Sequence, residues 1–117
     1  YNIHLQSNWI KTMKSSYQNR VSEALKIKKH IDKSPFPVVV CGDFNDTPIS
    51  YTYSSIKKGL NDSFQESGIG IGNSYVNIPT LRIDYILHSK KYKSFNYKKH
   101  KYRFSDHYPI SCDLLIP

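Results

Sequence analysis

The sequence predicts a mixed α/β fold in which helices cover a sheet. Strand-like segments alternate along the chain with segments of helical periodicity, and the run Val38-Val39-Val40-Cys41 is typical of a central strand buried on both faces. With 117 residues the chain fits one domain at most, and a domain of that size can bury a core without disulfides or structural metals. A content of 38% hydrophobic and 22% charged residues excludes a disordered composition.

The first half of the chain is predicted to hold two strands and two helices. Residues 2–6 alternate polar and apolar side chains, as a half-buried strand does. Residues 16–33 are predicted to form a helix that ends at residues 34–37, because the two prolines there cannot continue it. The residues expected near its apolar face are Tyr17, Val21, Ala24, Leu25, Lys28 and Ile31. After the strand at 38–41, residues 50–58 are predicted to form a short helix.

The second half is predicted to be richer in strands. Residues 59–80 contain the four remaining glycines without a clear period, so we expect mostly loop with short strands. Strands are predicted at residues 82–88, 93–102 and 109–116. The sequence has no repeat, no linker and no apolar run long enough to span a membrane.

The formal charge of +8 favours anionic partners such as nucleic acid, phospholipid head groups or phosphorylated small molecules. Seven of the 17 basic residues fall in residues 90–104, where aromatic side chains are interleaved. This segment could bind bases or a membrane interface. We favour an edge hairpin whose lysines prevent strand association. Cys41 and Cys112 are predicted to be reduced core thiols, although a disulfide between them stays open.

Three polar clusters lie at or beside the ends of predicted strands. In Gly42-Asp43-Phe44-Asn45, an aspartate after a buried strand can orient or deprotonate a water, and the asparagine can donate to an oxyanion. In Arg82-Ile83-Asp84-Tyr85-Ile86, strand alternation places Asp84 opposite the apolar face and beside Arg82. Taken alone, the first segment is interpreted as a turn, and the second as an Asp84–Arg82 ion pair or an exposed face.

The third cluster is Ser105-Asp106-His107-Tyr108-Pro109, directly before the last predicted strand. An aspartate can hold a divalent metal through oxygen. A histidine can contact phosphate or transfer a proton near neutral pH. A polar turn before the strand is the structural alternative.

These three motifs, in this order, resemble the endonuclease/exonuclease/phosphatase superfamily, which includes deoxyribonuclease-I-like nucleases, inositol-polyphosphate phosphatases and bacterial sphingomyelinases. The segment Asn2-Ile3-His4-Leu5 is a weaker match, and residues 42–53 look most like uncharacterised bacterial members. The resemblance extends over essentially the whole chain. It implies the C-terminal half of a four-layer α/β sandwich, with a mixed, mostly antiparallel sheet covered by helices.

The resemblance also implies a role for each matching residue. Asp43 would orient and activate the attacking water, and Asn45 would hold the site together and bind a non-bridging phosphate oxygen. Asp84 would pair with His107 and set its orientation. His107 would contact the scissile phosphate and stabilise developing charge. We therefore expect Asp84 and His107 to lie within hydrogen-bonding distance, in a cleft shared with the other motif residues.

Asp106 would serve a site for Mg²⁺ or Mn²⁺, and His4 would add a second phosphate contact. The family's N-terminal half supplies a metal-binding glutamate and an asparagine, and neither Glu23 nor Glu66 matches that glutamate. Residues 1–117 are therefore expected to be the C-terminal portion of one domain whose N-terminal half is absent. We expect this portion to be inactive alone and to self-associate through an exposed sheet face.

The predicted function is metal-dependent hydrolysis of phosphodiester or phosphomonoester bonds. The substrate would be a nucleic acid, a phospholipid or a small phosphorylated molecule, because these motifs are shared by enzymes acting on all three. The alternative is a non-catalytic module on the same fold that binds nucleic acid or membrane through residues 90–104. Asp43, Asn45 and His107 together favour the enzyme, because a binding module does not need all three. The motifs do not select a cellular compartment.

Overall fold

The computed structural model describes residues 1–5, 13–102 and 104–117 and has the predicted mixed α/β architecture. The end of the predicted first strand, Gln6, lies outside the described residues. The helices and strands, in chain order, are β1 (Asn2–His4), α1 (Met13–Lys33), β2 (Val39–Asp43), α2 (Tyr51–Lys57), β3 (Leu60–Asp62), α3 (Ser63–Ser67), β4 (Asp84–Ser89), β5 (Lys93–Lys99) and β6 (Ile110–Leu115). Among the described helices, none is long and apolar enough to cross a lipid bilayer.

The strands form two sheets. The first has the order β1-β2-β4-β3, with β1 parallel to β2 and the other neighbours antiparallel. The second pairs β5 with β6 antiparallel, with a register shift between Phe95 and Lys98. This pairing agrees with the hairpin favoured for the basic segment. Both sheets are mostly antiparallel, as predicted, and β2 and β4 lie side by side at the centre of the larger one.

The hydrophobic core lies on one face of the larger sheet. Val40 of β2 and Leu87 of β4 are fully buried and belong to one cluster with side chains of α1 and α2. Burying a side chain of this size stabilises the fold by about 1.5–3 kcal/mol. Val39 and Cys41 point to the opposite face and are only partly buried. Within the described residues this strand is therefore covered on one face, and the other is the sheet face expected to be exposed in a C-terminal portion.

The buried face of α1 differs from the predicted one. Tyr17 and Leu25, expected in the core, are 44% and 47% exposed. Ala24 and Ile31 are buried as predicted, and they are joined by Ser16 and Arg20, which were not expected there. The Arg20 guanidinium is buried against Asp46, at 3.3 Å between Nε and Oδ2. This ion pair joins α1 to the loop after β2 across 26 residues.

The segment at 59–80, expected to be mostly loop, contains one helix that the sequence analysis missed. The Asp62 side chain caps α3, because its Oδ1 accepts a hydrogen bond of 2.9 Å from the Phe64 amide. The predicted strand at 82–88 begins two residues later, at Asp84. In β6, half-buried and exposed residues alternate.

The Arg82–Asp84 ion pair, which was the structural alternative for this segment, does not form. Arg82 is buried and pairs with Asp62 at 2.7 Å, and the Tyr53 hydroxyl donates to the same carboxylate at 2.6 Å. The guanidinium also lies over the Tyr85 ring, 4.8 Å from its centroid. Because the Arg82 guanidinium is paired inside the core, it does not neutralise the Asp84 carboxylate, which lies on the other side of the sheet.

The cysteines are free thiols, as predicted, but neither is a core residue. Cys41 and Cys112 are both partly buried. They line a groove between the uncovered face of β2 and β4 and the strand β6. The uncovered sheet face therefore borders a space that the described residues do not fill.

Candidate active site

The three motifs meet at one end of the larger sheet. His4 of β1 pairs directly with Asp43 of β2, and Asp43 pairs directly with Asp84 of β4. Directly paired residues on neighbouring strands place their side chains on the same face. Two carboxylates directly opposite each other destabilise strand pairing. This row of charged side chains therefore does not stabilise the sheet, which indicates a role in binding or catalysis.

Gly42 makes the close approach of β1 and β2 possible. Its φ of 143° is one that other residues rarely adopt, and a Cβ there would lie 1.8 Å from the carbonyl oxygen of Ile3. The loop after it is fixed at Asp46, which receives hydrogen bonds from Arg20 and from the Tyr85 hydroxyl. Asp43 and the following loop are therefore held in place from the core side.

Asn45 links Asp43 to the first strand. Its backbone amide donates to Asp43 Oδ1 at 2.7 Å, and its side-chain amide donates to the carbonyl oxygen of Leu5 at 2.6 Å. The φ of Asn45 is 49°, a left-handed conformation that asparagine tolerates better than most residues. The second carboxylate oxygen of Asp43 stays directed at the cleft, 3.5 Å from His4 Nε2.

His107 is hydrogen-bonded to Asp84. The distance between His107 Nδ1 and Asp84 Oδ2 is 2.7 Å, so this nitrogen donates and the orientation of the ring is fixed. The opposite ring nitrogen, Nε2, faces the cleft at 4.0 Å from Asp43 Oδ2 and 3.9 Å from Asp106 Oδ1. The pair therefore presents one ring nitrogen to a group bound beside Asp43.

The Asp43 carboxyl is a better proton acceptor than an exposed aspartate. Burial raises its pKa above the ordinary value, and the charge of Asp84 raises it further. The hydrogen bond from the Asn45 amide and the charges of His107 and His4 oppose that shift without cancelling it.

The pKa of His107 is raised as well. Burial alone would lower it, but the hydrogen bond to Asp84 and the charges of Asp84, Asp43 and Asp106 outweigh burial. The imidazolium therefore persists to a higher pH than in a free histidine, and in that form its Nε2–H can donate to an anionic oxygen. A metal ligand must instead be the neutral imidazole.

All six residues predicted from the motifs line one open cleft of about 670 Å³: His4, Asp43, Asn45, Asp84, Asp106 and His107. The predicted hydrogen bond between Asp84 and His107, and the shared cleft, are thus confirmed. The roles assigned to these residues stay predictions. The opposite wall is apolar and comes from the loop before β4, with Tyr75, Ile78 and Leu81.

A group of cation-binding atoms lies in the cleft. Among the described residues, ligand atoms of Asp43, Asp84 and His107 lie within 4.8 Å of one another. This set does not contain Asp106, the residue that the sequence analysis assigned to metal. His107 can be a ligand only when its ring is neutral, and Asp84 Oδ2 already accepts a hydrogen bond from its Nδ1. Asp106 lies in the same cleft, and its side chain is 61% exposed. Its carboxylate oxygens are therefore accessible to a cation there.

The sequence analysis missed two neighbours of this pair. Tyr75 forms an isolated β-bridge with His107, and their rings meet edge to face at 5.4 Å between centroids. The hydroxyl of the fully buried Ser74 contacts the start of β4. No local spacing signals either contact, because both depend on how the loop at 68–81 folds back across the sheet.

The chain is similar in sequence and structure to known proteins. The model described as the Endonuclease/Exonuclease/phosphatase family matches residues 14–107, which is more than half of the chain. No curated protein sequence matches it. A functionally unknown conserved protein from Enterococcus faecalis V583 has the same fold with a TM-score of 0.80 and 18% identity, over 99% of this chain and 49% of that one.

Two solved structures with named activities have the same fold. Mannosyl-6-phosphatase Bt3783 from Bacteroides thetaiotaomicron VPI-5482 aligns with a TM-score of 0.64 and 22% identity, over 85% of this chain and 46% of that one. Sphingomyelinase C from Streptomyces griseocarneus aligns with a TM-score of 0.61 and 17% identity, over 95% and 51%. The chain therefore spans about half the length of the solved structures it resembles.

Proposed function

Because this chain belongs to the Endonuclease/Exonuclease/phosphatase family, we propose that it supplies part of the active site of a metal-dependent phosphoester hydrolase. The observation that carries the proposal is the convergence of Asp43, Asn45 and the Asp84–His107 pair in one cleft. Each of these groups is a donor or acceptor that hydrolysis of a phosphate ester requires.

In this proposal Asp43 orients the attacking water and accepts its proton. Oδ1 of Asp43 is engaged by the Asn45 amide, which leaves Oδ2 for the water. The raised pKa suits this role, because a more basic carboxylate accepts a proton more readily. The side-chain amide of Asn45 has a second N–H besides the one bonded to Leu5, and that N–H is proposed to donate to a non-bridging phosphate oxygen.

His107 is proposed to bind the scissile phosphate through Nε2–H. Asp84 keeps the ring protonated and correctly oriented, so the positive charge faces the oxygen on which negative charge develops. His4 lies largely exposed on the other side of Asp43 and would add a second contact to the phosphate.

The donor set of the cleft fits a hard divalent cation. Three carboxylates face one space, and Asp106 is the exposed one of the three. Mg²⁺ keeps several waters and needs only one or two carboxylates, so Asp106 would hold it or Mn²⁺ on this chain. When bound, the ion would neutralise phosphate charge and assist the leaving oxygen.

We further propose that residues 1–117 are the C-terminal portion of a single catalytic domain. The similar structures are about twice as long as the chain, which supports this division. The uncovered face of β2 and β4 would then pack against the other half. On its own, the chain is expected to be inactive and to self-associate through this face.

The substrate is proposed to be a phosphate ester: a nucleic acid, a phospholipid or a small phosphorylated molecule. The charge of +8 supports an anionic substrate. Similarity to a mannosyl-6-phosphatase and to a sphingomyelinase C supports the wider class without selecting within it.

A non-catalytic anion-binding module is the second candidate function. It is favoured by a surface row of rings in the basic segment, where His100, Tyr102 and Phe104 lie 6.4 and 6.0 Å apart between successive centroids. Aromatic rings beside lysines are suited to stacking with bases. The partly buried Asp43 has no use in such a module, so the enzyme remains the first candidate.

Turnover by the full-length protein separates the two candidates. Hydrolysis of bis-p-nitrophenyl phosphate and p-nitrophenyl phosphate would be followed with and without Mg²⁺. We expect Asp43→Asn and His107→Ala to remove most of the turnover while the circular dichroism spectrum is kept, because neither residue belongs to the core. Asp32→Asn and His30→Ala on exposed positions of α1 are the matched controls. Equal rates in the site variants and the wild type, at matched Mg²⁺, would refute the proposed roles.

A further inference from the structure

We propose that Ser74 is a positioning residue that fixes Asp84 and His107 relative to each other. This inference rests on the proposed function, in which that pair binds the phosphate. Ser74 lies in the loop before β4, has no exposed surface, and touches the backbone on both sides of the pair.

The hydroxyl of Ser74 holds the start of β4. Its Oγ accepts hydrogen bonds from the backbone amides of Ile83 and Asp84, both at 3.0 Å. A serine oxygen has two lone pairs, so these two bonds use its full accepting capacity. Both amides lie where the loop ends and β4 begins. Their hydrogen bonds therefore fix the backbone position from which the Asp84 side chain extends.

The backbone of the same segment holds His107. The carbonyl oxygen of Ser74 accepts from the Tyr108 amide at 2.8 Å, and the Val76 amide donates to the carbonyl oxygen of Asp106 at 2.8 Å. His107 lies between these two bonds, opposite Tyr75. Backbone hydrogen bonds therefore join residues 74–76 to residues 106–108, while the Ser74 side chain is hydrogen-bonded to the start of β4.

Ser74 therefore holds both segments whose side chains, Asp84 and His107, form a short hydrogen bond. Asp84 and His107 are 23 residues apart, and their side chains meet at 2.7 Å. Loss of the Ser74 hydroxyl leaves two buried amides without an acceptor, so the start of β4 should shift to find one. A shift of about 1 Å is enough to break the pair and can cost about a hundredfold in rate.

The competing explanation is that Ser74 only stabilises the fold. A substitution that removes a buried hydroxyl elsewhere in the protein is the control that separates a loss of stability from a loss of positioning. Ser94 is also buried, and its Oγ bonds to that of Ser67 at 3.0 Å, away from the cleft-lining residues. Ser94→Ala therefore removes a buried hydroxyl without touching the pair.

The experiment compares Ser74→Ala, Ser74→Thr and Ser94→Ala in the full-length protein. For Ser74→Ala we expect kcat to fall between about tenfold and a hundredfold, with KM little changed. Ser74→Thr keeps the hydroxyl and should recover most of kcat. Ser94→Ala should keep the wild-type kcat even where its thermal midpoint is lowered as much as that of Ser74→Ala.

A second measurement needs no turnover. In the proton NMR spectrum, the hydrogen-bonded Nδ1–H of His107, assigned by its loss in His107→Ala, should lose intensity or move upfield in Ser74→Ala and return in Ser74→Thr. A wild-type protein without turnover that still shows this change would contradict the proposed function and leave the positioning role standing. If Ser74→Ala does not fold, Ser74→Cys nearly keeps the side-chain volume while its sulfur accepts only weakly. A folded Ser74→Ala or Ser74→Cys with wild-type kcat and an unchanged Nδ1–H signal would overturn the inference.

Discussion

The substitution Asp84→Asn tests the centre of the proposed site. It removes the charge that lies 2.7 Å from His107 Nδ1 but keeps the shape of the side chain. Two groups respond, because the Asp84 charge raises the pKa of both His107 and Asp43. Both pKa values should therefore fall in the variant.

The size of the effect on turnover follows from the strength of the lost contact. A hydrogen bond to a charged partner contributes about 1.5–3 kcal/mol, and each 1.4 kcal/mol changes a rate about tenfold. His107 is 27% exposed, so solvent weakens the contact and the lower part of that range applies. We therefore expect kcat at the pH optimum to fall about tenfold to thirtyfold.

The assay is the pH dependence of kcat/KM for the full-length protein at saturating Mg²⁺. Activity needs deprotonated Asp43, which sets the acid limb, and protonated His107, which sets the alkaline limb. Since both pKa values fall, the whole profile should move to lower pH. Asp113→Asn removes an exposed carboxylate that bonds to Asn96, and it should leave the profile in place.

Two results would refute this reasoning. If the alkaline limb stays where it is in Asp84→Asn, His107 is not the group that titrates there. If only the alkaline limb moves, the repulsion between Asp84 and Asp43 is not significant in the working enzyme.

The remaining predictions concern stability. Asp62→Ala should destabilise the fold by about 3–5 kcal/mol in chemical denaturation, because it leaves the Arg82 charge buried and unpaired; a loss below 1 kcal/mol would contradict this. Gly42→Ala should lower the thermal midpoint markedly, since its Cβ would overlap the Ile3 carbonyl, whereas Gly70→Ala, with open space, should cost much less. Without metal, Asp43→Asn should raise the thermal midpoint at pH 7. The folded pKa of Asp43 is raised, so its stabilising contribution is present below the unfolded value of 3.8 and is lost as pH rises through the folded value. An unchanged midpoint at pH 7 would contradict that sign.

Local signals in the sequence were sufficient for the fold class and for the motif residues. The β-branched run before Gly42 predicted the central strand, and the polar residues after it and before the last strand predicted where Asp43 and His107 lie. The resemblance then predicted the Asp84–His107 contact that the structure contains. These features could be read because strand alternation and loop chemistry act over a few neighbouring residues.

Only the tertiary structure decided which polar groups are buried together. Arg20 pairs with Asp46, and Arg82 pairs with Asp62 instead of Asp84, across 26 and 20 residues. The position of Ser74 beneath β4 likewise depends on the path of a loop that carries no period. A buried charge or amide must find a partner wherever the fold places one, and the free energy of that choice is set by burial and distance in space. The sequence determined which residues can do chemistry, while long-range burial determined how they are held.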